Sequence, residues 1–143
     1  MARLLSEKEE KQILATIRVA ELETSGEICV HIQKRGGNNI HEAAWKQFHK
    51  LGMNKTKQRN GVLFFIAVND RRFAVIGDEG IHKAVPENFW ESTVETMSSY
   101  FKKGDFAAGI EAGILKAGDA LKKYFPHQDD DVNEINDSIS IQE

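Results

Sequence analysis

Gly61-Val-Leu-Phe-Phe-Ile-Ala-Val68 carries no charged or hydrogen-bonding side chain along its whole length. The run is strand-sized, rich in β-branched and aromatic residues, and far below the roughly 18 apolar residues of a membrane helix. It does not alternate between apolar and polar, so both faces of the strand must be covered, and it belongs at the centre of a sheet with a layer on each side. At 143 residues, 41% hydrophobic and 29% charged, the chain supplies one such domain and is short for two.

The flanking segments read as the elements that would cover it. Ser6 with Glu9 has the form of a capping box, and Ile13, Ile17 and Ala20 recur at helical spacing until Ser25-Gly26, which predicts a helix over Glu7–Glu23. Ile28, Val30 and Ile32 then alternate as in a strand, bounded by the turn cluster Arg35-Gly-Gly-Asn-Asn. Asn39 with Glu42 repeats the cap signature, and Ala44, Phe48 and Leu51 form an apolar face ending at Gly52. Beyond the central strand, Asn69-Asp70-Arg71 is a short polar connection to Phe73-Ala-Val-Ile-Gly77, which predicts an antiparallel hairpin. Pro86 suits the first turn of a helix presenting Trp90, Val94, Met97 and Phe101 on one face and ending at Lys102-Lys103-Gly104. Asp105 is placed to cap a last helix with Phe106, Ile110, Ile114, Ala117 and Leu121 inward, closed by Pro126. Gly109 and Gly113 permit close backbone approach there, and Trp90, Phe101 and Phe106 read as packing residues. The order α-β-α-β-β-α-α predicts an α/β fold, a three-layer α/β/α sandwich on a small mixed sheet.

Charge divides the chain into a body, 1–126, and an acidic tail, 127–143. Asp129, Asp130, Asp131, Glu134, Asp137 and Glu143 put about −6 on the tail, which leaves about +3 of the net −3 on the body. The tail's composition suits disorder, while Val132, Ile135, Ile139 and Ile141 are spaced apolar residues able to dock. Lysines and arginines are scattered, with no Arg-rich helix or zinc-finger spacing, so no nucleic-acid partner is expected. The one cysteine, Cys29, excludes a disulfide framework, a Cys-based zinc module and a dithiol redox centre, and it reads as a buried structural thiol. The N-terminus turns charged after one apolar pair, so the expected location is cytoplasmic, without membrane insertion.

Topology gathers the polar residues. A strand joined to the next through a helix is parallel to it, and the hairpin returns the third strand to the same end. Glu27, Arg59, Asn60, Asp78 and Glu79 then share one end of the sheet, and Asn69, Asp70, Arg71 and Arg72 the other. Carboxylates beside an amide oxygen suit Ca²⁺ or Mg²⁺, and Gly77 and Gly80 would let carbonyls approach. The alternative is that Asp78 or Glu79 simply pairs with Arg59, and EF-hand spacing is absent. The five histidines form no metal-binding pair, and His31, opposite Ile28, Val30 and Ile32 on its strand, reads as a packed or surface side chain. No nucleophile-elbow, phosphate-loop or dinucleotide fingerprint occurs.

Ser25-Gly-Glu-Ile-Cys-Val-His-Ile, Arg59-Asn-Gly-Val-Leu-Phe-Phe-Ile-Ala-Val, Phe73-Ala-Val-Ile-Gly-Asp-Glu-Gly-Ile and the stretch from Phe101 through Asp105 and Phe106 to Gly109-Ile110 together resemble the TPM domain family. Gly77-Asp-Glu-Gly-Ile with Val85-Pro-Glu-Asn-Phe-Trp is similar to a stand-alone bacterial subgroup, in which the ending Phe125-Pro and Asn133-Glu-Ile-Asn-Asp recurs. The resemblance implies an α/β/α sandwich, and for some members an acid phosphatase activity or divalent-cation binding. The family's usual glycine-tyrosine-glycine is replaced here by Gly77-Asp78-Glu79-Gly80, which adds two carboxylates. Two functions follow. One is a monomeric module, rigidified by Ca²⁺ or Mg²⁺ at Asp78, Glu79, Glu27 and Asn60, that docks a protein partner. The other is a metal-dependent phosphomonoesterase in which Arg59 receives the phosphate and metal-bound water attacks.

Overall fold

The computed structural model describes residues 5–127 and 139–142. Along the chain run α1 (Glu7–Glu23), β1 (Glu27–Gln33), α2 (Ile40–Lys50), a 3-10 turn (Met53–Lys55), β2 (Gly61–Ala67), β3 (Arg72–Gly77), α3 (Glu79–Ala84), α4 (Glu91–Lys102), α5 (Phe106–Leu121) and β4 (Ile139–Gln142). The sheet order is β3-β2-β1-β4. β1 lies parallel to β2, with Glu27 opposite Gly61 and Gln33 opposite Ala67, and β3 returns antiparallel to β2, with Gly77 opposite Val62. The central run therefore occupies an inner strand, buried from Gly61 to Ala67. None of the described helices is long and apolar enough to cross a membrane.

Alternation along the strands sorts side chains into two separate cores. Ile28, Val30, Ile32, Val62, Phe64, Ile66 and Val75 face one way and meet Ile13, Ile17, Met97, Ile110 and Ile114 of α1, α4 and α5. Cys29, Leu63, Phe65, Ala74 and Ile76 face the other way, against Ala44, Phe48 and Met53. Each fully buried aliphatic or aromatic side chain contributes about 1.5–3 kcal/mol, so both layers are needed to cover an unalternating strand. The helices pack tightly because small residues line α5. A side-chain carbon at Gly113 would lie 2.5 Å from Met97 Sδ, and one at Gly118 would lie 2.8 Å from the Ala20 methyl.

The caps at Ser6 and Asn39 form as expected, the first as a full capping box. Other expectations are narrowed or corrected. Of the two alternatives for His31 the packed one holds, because β1 is covered on both faces. The helix after Pro86 begins only at Glu91. Residues 86–90 are spent in a turn, Thr93 and Met97 take the inward positions, and Val94 is left 38% exposed. Asp105 precedes α5, but its side chain makes no capping bond; its carbonyl accepts from the Gly109 amide instead. Within the tail the docking alternative holds for Ile139–Gln142, which pairs in parallel with Val30–Gln33. Asp129, Asp130, Asp131, Val132, Glu134, Ile135, Asp137 and Glu143 lie outside the described residues.

Candidate functional site

At the end of the sheet where β1 and β2 begin and β3 finishes, the expected polar residues meet. The Asp78 amide donates to the Gly61 carbonyl at 2.9 Å, extending the β2–β3 ladder by one bond. Its carboxylate then turns back to accept from the Glu79 amide at 2.8 Å, capping α3. Asp78 therefore ends a strand and starts a helix. Asp followed by Glu, with His82 and Lys83 in the last turn and Pro86 beyond, is the sequence signal that announces this short helix.

Arg59 reaches Asp78 from the loop before β2. Its Nε donates to Oδ2 at 2.7 Å and its Nη2 to Oδ1 at 2.9 Å, a two-pronged fork on one carboxylate. The Asp78 side chain is 4% exposed and that of Arg59 39%, so the pair runs from interior to surface. Hydrogen bonding to Asp78 is the chief cause that raises the Arg59 guanidinium above its usual range. Arg59 Nη1 also stands 3.8 Å from Glu79 Oε1, and Lys83 Nζ 3.9 Å from the same oxygen.

The backbone explains how the fork is aimed. Arg59 has φ of 51°, a left-handed conformation that costs a non-glycine residue roughly 1–2 kcal/mol. That turn presents its carbonyl to the Gly80 amide at 2.9 Å. A side-chain carbon at Gly80 would lie 2.1 Å from the Gln58 carbonyl oxygen and 2.6 Å from that of Arg59, so this approach requires glycine. Asn60, also buried, takes its amide proton to Thr56 Oγ1 at 3.2 Å and donates from Nδ2 to Ser25 Oγ at 3.3 Å. Its carbonyl accepts from the Glu27 amide at 3.4 Å. Glu27 is buried and has its own partner.

Glu27, Arg59, Asn60, Asp78 and Glu79 are thus brought to one end, and the closest contact within the group is the Arg59–Asp78 fork. The oxygen chemistry suits a hard cation, but three of the hydrogen bonds to Asp78 are already made and Arg59 stands against both of its oxygens. Among the described residues no group of three or more His, Cys, Asp or Glu is assembled around a common point. A cation at Asp78 would have to displace a guanidinium. Neither Thr56 nor Ser25, which reads in the sequence only as a helix stop and motif residue, is legible as part of this site; they hold Asn60 and the loop, and Ser25 also accepts from Gln58. An isolated serine or threonine before a glycine-bounded strand carries no periodic signal.

His31 lies midway along β1, far from these residues in register. Its Nε2 faces Gln33 Oε1 at 2.7 Å and its Nδ1 faces Ser140 Oγ at 2.9 Å, with Phe65 stacked 5.3 Å away. The Gln33 amide nitrogen donates to the Arg35 carbonyl, so its oxygen is the end turned to His31 and Nε2 carries the proton. Burial is the main cause that lowers its pKa, with Lys50 adding to the effect. Cys29 is buried on the same face of the strand.

A family model described as the TPM domain matches residues 1–120. The NMR structure of the BA42 protein from the psychrophilic bacterium Bizionia argentinensis is 43% identical, with TM-score 0.93, over 99% of this chain and 98% of that one. The N-terminal domain of a P. gingivalis protein aligns with TM-score 0.70 at 22% identity, over 87% of this chain and 82% of that one. The N-terminal domain of cg2496 from Corynebacterium glutamicum aligns with TM-score 0.65 at 12% identity, over 95% and 80%. These last two are similar in fold. No curated protein matches.

Proposed function

Because this chain belongs to the TPM domain family, matched over residues 1–120, we propose that it is a divalent-cation-responsive interaction module working through the Arg59–Asp78 end of the sheet. Asp78, Glu79, Glu27 and Asn60 supply the oxygens, and Ca²⁺ or Mg²⁺ competes with Arg59 for the Asp78 carboxylate. The observation that carries the reading is the exposure gradient of the fork: a buried carboxylate neutralised by a guanidinium that itself reaches solvent. A resident cation of that kind is exchangeable, and its release frees a charged surface loop for a protein partner. The phosphomonoesterase alternative needs Arg59 to receive a phosphate, and its fork is engaged with Asp78.

The test is the thermal midpoint of metal-stripped protein against Ca²⁺ and Mg²⁺, for wild type, Arg59→Gln and Asp78→Asn. A cation that binds only the folded chain adds about 2.7 kcal/mol at a hundredfold its Kd. Wild type should rise, Arg59→Gln should rise at lower cation concentration because the competitor is gone, and Asp78→Asn should lose the response. No rise in either wild type or Arg59→Gln sinks the proposal. Phosphomonoester turnover on the same samples separates module from enzyme.

A further inference from the structure

At the opposite end of the sheet a cavity of about 720 Å³ opens between the β2–β3 hairpin and the α4–α5 junction. That is within the roughly 300–1,000 Å³ of small-molecule sites. Its floor is aromatic. Phe73, Phe101 and Phe106 are each half-buried, Phe101 meeting Phe73 edge-on at 5.1 Å and stacking on Phe106 at 5.3 Å. Its rim is cationic, formed by Arg71, Arg72, Lys102 and Lys103, and no aspartate or glutamate lines it.

The four cations are not equivalent. Arg72 is engaged by Asp70 at 3.1 Å and by the Gly37 carbonyl. Arg71, Lys102 and Lys103 make no ion pair among the described residues. Lys102 and Lys103 close α4, where the helix dipole alone accounts for a positive charge. That account does not extend to Arg71, which comes from the hairpin in a left-handed conformation, φ 54°, and brings a third unpaired charge to the same opening. Glu95 lines a shallower neighbouring depression that shares Ser98, Lys102 and Lys103 with this cavity. Apolar rings beneath unpaired cations match a ligand with two unlike ends.

We propose that this cavity binds a small aromatic anion, its flat apolar body resting on Phe73, Phe101 and Phe106 and its phosphate or carboxylate head received by Arg71, Lys102 and Lys103. The site is independent of the Arg59–Asp78 reading.

The test titrates the full, isotope-labelled chain with phenylphosphonate and with phenylacetate while following the amides of Val68, Arg71, Phe73 and Gly104. Inorganic phosphate and benzyl alcohol serve as head-only and body-only probes. At least one phenyl anion should shift these amides saturably, at least tenfold tighter than either half-probe, and the tighter of the two names the head group. Arg71→Asn with Lys103→Gln should weaken binding tenfold or more, and Asn tolerates the left-handed backbone. Ser98→Trp, which keeps every charge and fills the opening, should block it. The proposal is overturned if no amide there saturates, if inorganic phosphate binds as tightly as the phenyl anions, or if binding survives both variants.

Discussion

Gly80 has no room for a side chain, and the reason lies in Arg59. The left-handed turn at Arg59 pushes its carbonyl, and that of Gln58, onto the first turn of α3. An alanine there must displace backbone, because neither contact is with the end of a flexible side chain. Gly80→Ala should therefore cost about 1–3 kcal/mol in urea unfolding, the usual penalty of overpacking. It should also loosen the Arg59–Asp78 fork. A change within about 0.5 kcal/mol, typical of an unconstrained surface site, would show that the loop slides aside freely and does not pin Arg59. At this scale the sequence reveals which residue types gather, since Arg59 and Asp78 are nineteen positions apart and only topology joins them. It offers the Arg59 pairing only as an alternative to a cation site, and it does not reveal that Asp78 also caps a helix. The left-handed backbone at Arg59 is part of the geometry that sets that arrangement.

Among the elements, the burial of His31 on β1 ties the folded state to pH. Ser140 on β4 meets His31 on β1, and burial depresses the His31 pKa below its ordinary value of 6.5. In the unfolded chain the imidazole takes its proton first as pH falls, so the unfolded state binds more protons in the window below 6.5. The neutral ring's contribution is complete above that pH and is lost on acidification towards the depressed folded value. Wild type should lose urea-unfolding stability between about pH 7 and 5.5 faster than His31→Gln, with a single-site slope of at most about 1.36 kcal/mol per unit. Equal slopes for the two proteins would mean that the native fold tolerates a charged His31. The helices were largely legible because their signals are local: Ser6 with Glu9, Asn39 with Glu42, and apolar residues at helical spacing. The α4 start was not, since Pro86 fits a first turn and a preceding loop equally well.

For the whole molecule, a four-residue strand completes the sheet beside β1. Removing residues 139–143 would bare a row of amides and carbonyls along an apolar strand, a template for pairing with another chain. The deletion should cost about 1–2 kcal/mol, given that Ile139 and Ile141 are only half-buried, and should produce concentration-dependent association in sedimentation velocity. An equally stable monomer would show that β4 contributes nothing to closing the edge. The molecule also carries different chemistry at its two ends, a neutralised fork where β1 and β2 begin and a basic, aromatic cavity where they finish. By itself the sequence determined the two-faced central strand, the capped helices, the parallel pairing and hence the end of the sheet at which Glu27, Arg59, Asn60, Asp78 and Glu79 collect. Those follow from local periodicity and from the few ways a chain of this order can connect. Only the tertiary structure decided that Arg59 holds Asp78, that Ile139–Gln142 closes the sheet and that Arg71 joins Lys102 and Lys103 over three phenylalanines. Each of these depends on distances between segments remote in the chain, and such distances are set by packing, which no window of sequence contains.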